Sequence, residues 1–276
     1  MNLELTSTKT KVKPIILVAK KRSGTWLLGY TLASNKDITS CGEVFFKSDS
    51  PFCWFNYLES QRQNSENESQ DTQLLFDEYL AYLARENQKK NGVDKDYALL
   101  DIKYEVFNTL ESNQKSSLDD SCFRQIILDR KIPVIHLIRK NVLRAFVSYE
   151  MAKQTNTWRL RVKKGESQPD TSITIDCSSL VSELETREQE ISDFKQAFSG
   201  YENYLELYYK ELTEDGKFSE SCLKKVVNLV DVDLGFNRKP LLAKQGAKDL
   251  SESIDNWSEV EATLKDTKYE SMLSDK

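Results

Sequence analysis

The chain has 276 residues, 39% of them apolar and 30% charged, with 44 acidic against 39 basic side chains for a formal charge of −5. That length builds a sizeable core, and 9 Gly and 5 Pro exclude long flexible linkers or low-complexity arrays. The acidic balance argues against a general nucleic-acid binder, which needs a basic excess to neutralise phosphates, but leaves room for a local anion site.

Residues 1–13 are polar and read as an arm. Pro14–Ala19, PIILVA, is a continuous aliphatic run, the pattern of a strand buried on both faces. Its apolar core, Ile15–Ala19, is too short for a membrane span or a signal-peptide core. Ser23 to about Ser34 predicts a helix, with Ser23 as its cap and Trp26, Leu27, Tyr30 and Ala33 as its apolar face. Residues 41–58 are rich in aromatics and read as an irregular segment beside a cleft. The polar stretch 60–72 predicts a mobile loop. Residues 73–90 carry the stripe of an amphipathic helix, 96–107 hold a second strand, 122–131 a helix and 132–140, IPVIHLIRK, a third strand. A helix follows at 141–154. Residues 159–175 are basic, then polar, and predict a second mobile loop. Residues 178–198 form a long amphipathic helix, and 204–212, YLELYYKEL, predict a fourth strand.

Strands separated by helices give right-handed βαβ units. The expected fold is one α/β domain over 1–276. It has three layers: a central, mainly parallel sheet of about four to five strands with helices on both faces, P-loop-like. Five scattered cysteines (Cys41, Cys53, Cys122, Cys177, Cys222) without a CxxC pair read as reduced thiols of a cytoplasmic protein. A single histidine, His136, excludes a histidine-rich metal centre; lying mid-strand in VIHLI, it reads as a core residue.

Chemistry concentrates in AKKRSGTWLL, residues 19–28. A strand, a short glycine-containing loop and a helix start make an anion site. The first helical N–H groups lack internal acceptors and the helix dipole adds about half a positive charge there. Gly24 permits close backbone approach, Ser23 and Thr25 add hydroxyls, and Arg22 adds a bidentate fork. GxxxxGK[ST] is absent, so this is no Walker loop. Arg139, at the carboxyl end of the third strand, and Ser148, on the helix after it, make a second candidate phosphate site. Solvated lysines and a surface salt bridge are the plain structural alternatives for these two stretches. Taken together, they suggest a ligand with anionic groups at both ends of a nucleoside, as in 3′-phosphoadenosine 5′-phosphosulfate (PAPS).

At these residues the chain resembles the PAPS-dependent sulfotransferases. KRSGTWLL is similar to their 5′-phosphosulfate loop, [KR]-S-G-T-[ST]-x-L, and VIHLIRKNVLRAFVS to their 3′-phosphate motif. The Arg-to-Ser spacing and Asn141 are closer to the bacterial carbohydrate-type branch than to the cytosolic one. CGEVF, DIKY, YYKEL and DNWSEVEATLKDTKYESML agree more softly. Trp26 departs from the pattern: it stands where a second Thr or Ser is common, so one hydroxyl is missing while the backbone amides remain.

The resemblance implies a sulfotransferase that moves the sulfuryl group of PAPS, its co-substrate, to a hydroxyl of a carbohydrate or other small acceptor by in-line displacement. No metal is required. Arg22 would stabilise the leaving phosphate, and Ser23 with the amides of Gly24, Thr25 and Trp26 would hold the 5′-phosphate. Arg139 and Ser148 would hold the 3′-phosphate, with Lys244 adding a contact. Glu43 is the expected base, and Lys103 would touch the sulfuryl group or the acceptor; an exposed loop acid and a solvent-exposed lysine are the plain alternatives. The aromatic segment and the cations Arg159, Arg161, Lys163 and Lys164 are candidates for acceptor contact, with core packing and a solvated face as their plain alternatives. The expected partner is a small-molecule or glycan acceptor, with no nucleic acid and no membrane span. A homodimer is favoured by the general frequency of two-fold assemblies. An ATP-dependent P-loop-like kinase and a non-catalytic nucleotide-binding descendant of the fold remain the alternatives.

Overall fold

The computed structural model describes residues 11–46, 49–62, 72–112, 122–158, 172–233, 235–239 and 249–274. Five parallel strands form the central sheet: β1 (Lys13–Ala19), β2 (Ile38–Gly42), β3 (Tyr97–Lys103), β4 (Val134–Ile138) and β5 (Tyr204–Tyr208), in the order β2-β3-β1-β4-β5. Around it lie α1 (Thr25–Ala33), α2 (Trp54–Arg62), α3 (Thr72–Asn91), α4 (Tyr104–Ser112), α5 (Cys122–Asp129), α6 (Val142–Gln154), α7 (Leu180–Ala197), α8 (Glu220–Val230) and α9 (Trp257–Leu264). A two-stranded ribbon, β6 (Thr213–Glu214) with β7 (Lys217–Phe218), precedes α8.

Side chains of β1 alternate between faces, and both faces are buried, which is why the strand is apolar throughout. Ile16 and Val18 enter a core with Phe76, Tyr79, Phe123 and Phe194. Ile15, Leu17 and Ala19 enter the opposite one with Leu28, Leu32, Leu223 and Val226. A third cluster joins α6, α7 and α9. This is the expected helix–sheet–helix arrangement, with the chain crossing over between parallel strands.

Several local expectations are corrected. The three strands read from apolar runs are β1, β3 and β4, but β2 lies between the first two in sequence. Its sequence, ITSCG, is half polar because it is the edge strand. The aromatic segment 41–58 is not irregular throughout: it begins in β2 and ends in α2, and Phe45, Phe52, Trp54 and Tyr57 are buried. Phe55 is 44% exposed. Residues 96–107 divide into β3 and the start of α4.

Ser23 makes no capping hydrogen bond; Gly24, at φ 93°, occupies the N-cap of α1. The buried face of α1 is Thr25, Leu28, Gly29, Thr31 and Leu32, so the stripe Trp26, Leu27, Tyr30 and Ala33 remains only half-buried. Of the expected arm 1–13, residues 1–10 lie outside the described residues, while Val12 is buried and Lys13 opens β1. At 172–175 the expected mobile loop is pinned, because Ile173 bridges Ile254 and both Ile173 and Ile175 are buried. Residues 63–71 and 159–171 lie outside the described residues. Cys41, Cys53, Cys177 and Cys222 are free thiols.

His136 is fully buried, with the Tyr104 hydroxyl against Nε2 and the Tyr204 hydroxyl against Nδ1. Burial drives its pKa down to about 3. An unfolded chain binds that proton near 6.5, so between these two values unfolding takes up a proton and stability falls as pH drops. The slope contributed is up to about 1.4 kcal/mol per pH unit. His136→Phe is expected to lose stability more gently than the parent between pH 6.5 and 4.5, read by urea denaturation at each pH. Equal slopes would contradict this account.

Candidate active site

The chain leaves β1 at Ala19 and must reverse its direction within five residues to begin α1 at Thr25. It does so through two left-handed residues, Arg22 at φ 73° and Gly24 at φ 93°. Gly24 is needed twice over: any side chain there is strained, and an added Cβ would lie 2.7 and 2.8 Å from the Tyr209 ring. The turn sets the start of α1 at the carboxyl edge of the sheet, and the amides of a helix's first turn lack intrahelical acceptors.

The two stretches singled out in the sequence meet here. Arg139, one residue beyond β4, donates from Nη1 to the carbonyl of Arg22 at 2.9 Å. Arg22 donates from Nε to Ser148 Oγ at 3.0 Å and from Nη1 to the carbonyl of Trp158 at 2.7 Å. Ser148 accepts one bond and still carries a proton to donate. Arg139 also lies 4.6 Å from the centroid of the Tyr209 ring. Burial lowers the pKa of Arg139 to about 10, and the neighbouring cations Arg144 and Arg22 push in the same direction. Arg22 is lowered by burial too.

On the other side of the loop, Lys103 ends β3 and is 2% exposed, a buried cation rather than a solvated one. Its Nζ donates to Asp101 Oδ1 at 2.5 Å and to Thr25 Oγ1 at 3.1 Å, and lies 3.5 Å from Glu43 Oε1. The Glu43 side chain, just beyond β2, is 30% exposed. Thus Glu43, Lys103 and Thr25 converge from the ends of three neighbouring elements. Ser23 is buried, and Trp26 is half-buried with its ring 5.4 Å from that of Tyr30. Lys20 is neutralised locally by Glu105 and Glu190 at 3.1 and 2.7 Å. Lys21 lies over the Phe46 ring.

Arg22, Ser23, Gly24, Thr25, Arg139 and Ser148 are therefore one neighbourhood, joined through Thr25 to Lys103 and Glu43. Lys244, Arg159, Arg161, Lys163 and Lys164 lie outside the described residues. Sequence reasoning missed Asp101, which holds Lys103, and Tyr209, which walls the loop. Each lay within a quoted stretch, DIKY and YYKEL, yet neither stretch reveals the partner across the sheet. Among the described residues, no group of three or more His, Cys, Asp and Glu is placed to hold a metal ion, and no helix is long and apolar enough to cross a membrane.

Gly24→Ala combines a backbone penalty of about 1–2 kcal/mol with a clash against Tyr209. It is expected to lower the melting temperature by several degrees in a thermal scan. Adding Tyr209→Ala should restore only the part due to the clash. A single variant as stable as the parent would refute this description of the loop.

Among curated proteins none matches the chain. A family model, Stf0 sulphotransferase, matches residues 14–259, from β1 through the end of the site into α9. A glycine turn between β1 and α1, an arginine from the end of β4 tied to it and a match over most of the chain agree, and the chain belongs to the Stf0 sulphotransferase family, enzymes that transfer sulfuryl groups.

Proposed function

We propose that the chain uses PAPS as donor and passes its sulfuryl group to a hydroxyl of a carbohydrate or other small acceptor. The observation that carries this reading is the pair of contacts joining Arg139 to the Arg22 carbonyl and Arg22 to Ser148. These contacts support the reading because they join the loop and the side chains to which it gives the 5′- and 3′-phosphates of one nucleoside. The family assignment sets aside the kinase alternative.

In this reading the amides of Gly24, Thr25 and Trp26 and the Ser23 hydroxyl hold the 5′-phosphate. Arg139 and the remaining proton of Ser148 hold the 3′-phosphate, which separates this donor from ATP. The acceptor oxygen forms a bond to sulfur as the bond from sulfur to the bridging oxygen breaks. Charge moves onto that oxygen, and Arg22 stabilises it. Lys103, fixed by Asp101 and Thr25, neutralises the sulfuryl oxygens during transfer. Glu43 takes the acceptor proton, and adenosine 3′,5′-bisphosphate leaves. Positioning and electrostatics supply most of the acceleration, as in phosphoryl transfer.

Calorimetric titration tests the donor site. Adenosine 3′,5′-bisphosphate is expected to bind much more tightly than AMP. Arg139→Ala should lose about 10- to 100-fold for the bisphosphate, the worth of one charge-assisted contact, and a smaller factor for AMP, through the loop that Arg139 braces. Equal affinity for the two nucleotides in the parent chain would sink the reading. Transfer from radiolabelled PAPS to a mixed glycan and lipid pool tests the chemistry. Glu43→Ala should slow it about 10²- to 10⁴-fold, the usual contribution of a positioned base. A variant at full rate would remove Glu43 from that role.

A further inference from the structure

Lys20 follows β1 directly and takes part in the turn, its carbonyl accepting from the Ser23 N–H at 3.3 Å. Two carboxylates hold its ammonium. It donates to Oε1 of Glu190 on α7 at 2.8 Å, lies 2.7 Å from Oε2 of the same residue, and donates to Oε1 of Glu105 on α4 at 3.1 Å. The Lys20 and Glu190 side chains are each 14% exposed and that of Glu105 is 41% exposed, so solvent screens the second pair more than the first.

One turn before Glu190 on α7, Arg187 is in the opposite condition. It is 4% exposed, and its Nε and Nη1 are buried with no hydrogen-bond partner. The guanidinium lies 5.5 Å from the Phe146 ring and 5.6 Å from the Tyr149 ring, both on α6. Glu183, Glu190 and Glu105 act on it through space. Burial pushes the Glu190 carboxyl up and the Arg187 guanidinium down, so neither charge is fully compensated where it stands. A buried cation with orphaned donors is costly.

One cation thus serves two carboxylates while Arg187 is hydrogen-bonded to neither. Residues three apart on a helix share a face, so rotation of the Glu190 side chain can bring its carboxylate to Arg187. The same number of ion pairs exists before and after that exchange: Lys20 keeps Glu105, and Arg187 gains Glu190. An anion at the loop tips the balance, because the long stem of Lys20 lets its ammonium follow the charge while its backbone stays in the turn. We propose that Lys20 is a further donor-binding residue: as the donor's 5′-phosphate enters the loop, Glu190 passes from Lys20 to Arg187 and the released ammonium turns to the phosphate. Glu190 and Arg187 are positioning residues that act through Lys20. The inference rests on the PAPS reading and adds to it how the charge of the loop is made available.

The test is a double-variant cycle read by calorimetric titration with adenosine 3′,5′-bisphosphate. Arg187→Met removes the orphaned donors and fills their space, so the melting temperature without nucleotide is expected to be kept or raised. The bisphosphate should nonetheless bind about three- to tenfold more weakly, because Glu190 then stays on Lys20. Arg187→Lys should keep most of the affinity. Glu190→Gln releases Lys20 and should tighten binding by a similar factor, and in its background Arg187→Met should have no further effect. Lys20→Met should weaken binding and abolish the gain from Glu190→Gln. Charge acting through space alone predicts the same loss from Arg187→Met in both backgrounds, and that result would overturn the inference. So would unchanged affinity in Arg187→Met, or a gain from Glu190→Gln that survives Lys20→Met. A melting temperature that falls with the affinity in Arg187→Met and Arg187→Lys alike would make Arg187 merely structural and also overturn it. These outcomes leave the donor reading standing, whereas failure of the parent chain to bind the bisphosphate would take both down.

Discussion

The site depends on one hydrogen bond between distant parts of the chain, from the Arg139 guanidinium to the carbonyl of Arg22. That carbonyl turns toward Arg139 from a residue held in the left-handed region. Residues 22 and 139 become neighbours because β1 and β4 pair in parallel and end at the same edge of the sheet. The register of the sheet therefore sets the geometry of the anion site, and the loop inherits its rigidity from strands whose side chains are buried on both faces.

The electrostatics follow the same division. An acidic protein concentrates Lys20, Lys21, Arg22, Lys103 and Arg139 around the ends of three adjacent strands. Some of this charge is compensated internally: Lys20 by Glu105 and Glu190, and Lys103 by Asp101 and Glu43. Arg22 also donates to neutral oxygens of Ser148 and Trp158, and Arg139 to the carbonyl of Arg22.

What the sequence revealed and what it hid both have physical causes. PIILVA and VIHLI announce themselves because strands buried on two faces must be apolar, and a glycine and arginine directly after such a run mark a turn with chemistry in it. ITSCG hid because an edge strand is paired on one side only and tolerates polar residues. Heptad-like spacing identified α1 but chose the wrong face. Its true buried face uses Thr25 and Gly29, small residues that let the helix approach the sheet, with an added Cβ on Gly29 3.2 Å from Ser40 Oγ. The burial of Lys103 is not legible in the sequence, because nothing local predicts Asp101, Thr25 and Glu43 closing around its ammonium. These contacts run across elements and belong to the tertiary structure alone.

The parallel topology also governs how the molecule comes into being. β1, the middle strand, finds its first partner when residue 13 meets residue 97, and its second when residue 16 meets residue 134. Ribosomes add about 5–20 residues per second, so on the order of ten seconds of synthesis separates β1 from β3. Throughout that interval the aliphatic run IILVA has no ladder to join and is the kind of segment that pairs with other nascent chains. The yield of folded enzyme is thereby tied to translation speed and chaperone supply before any equilibrium property of the finished sheet comes into play.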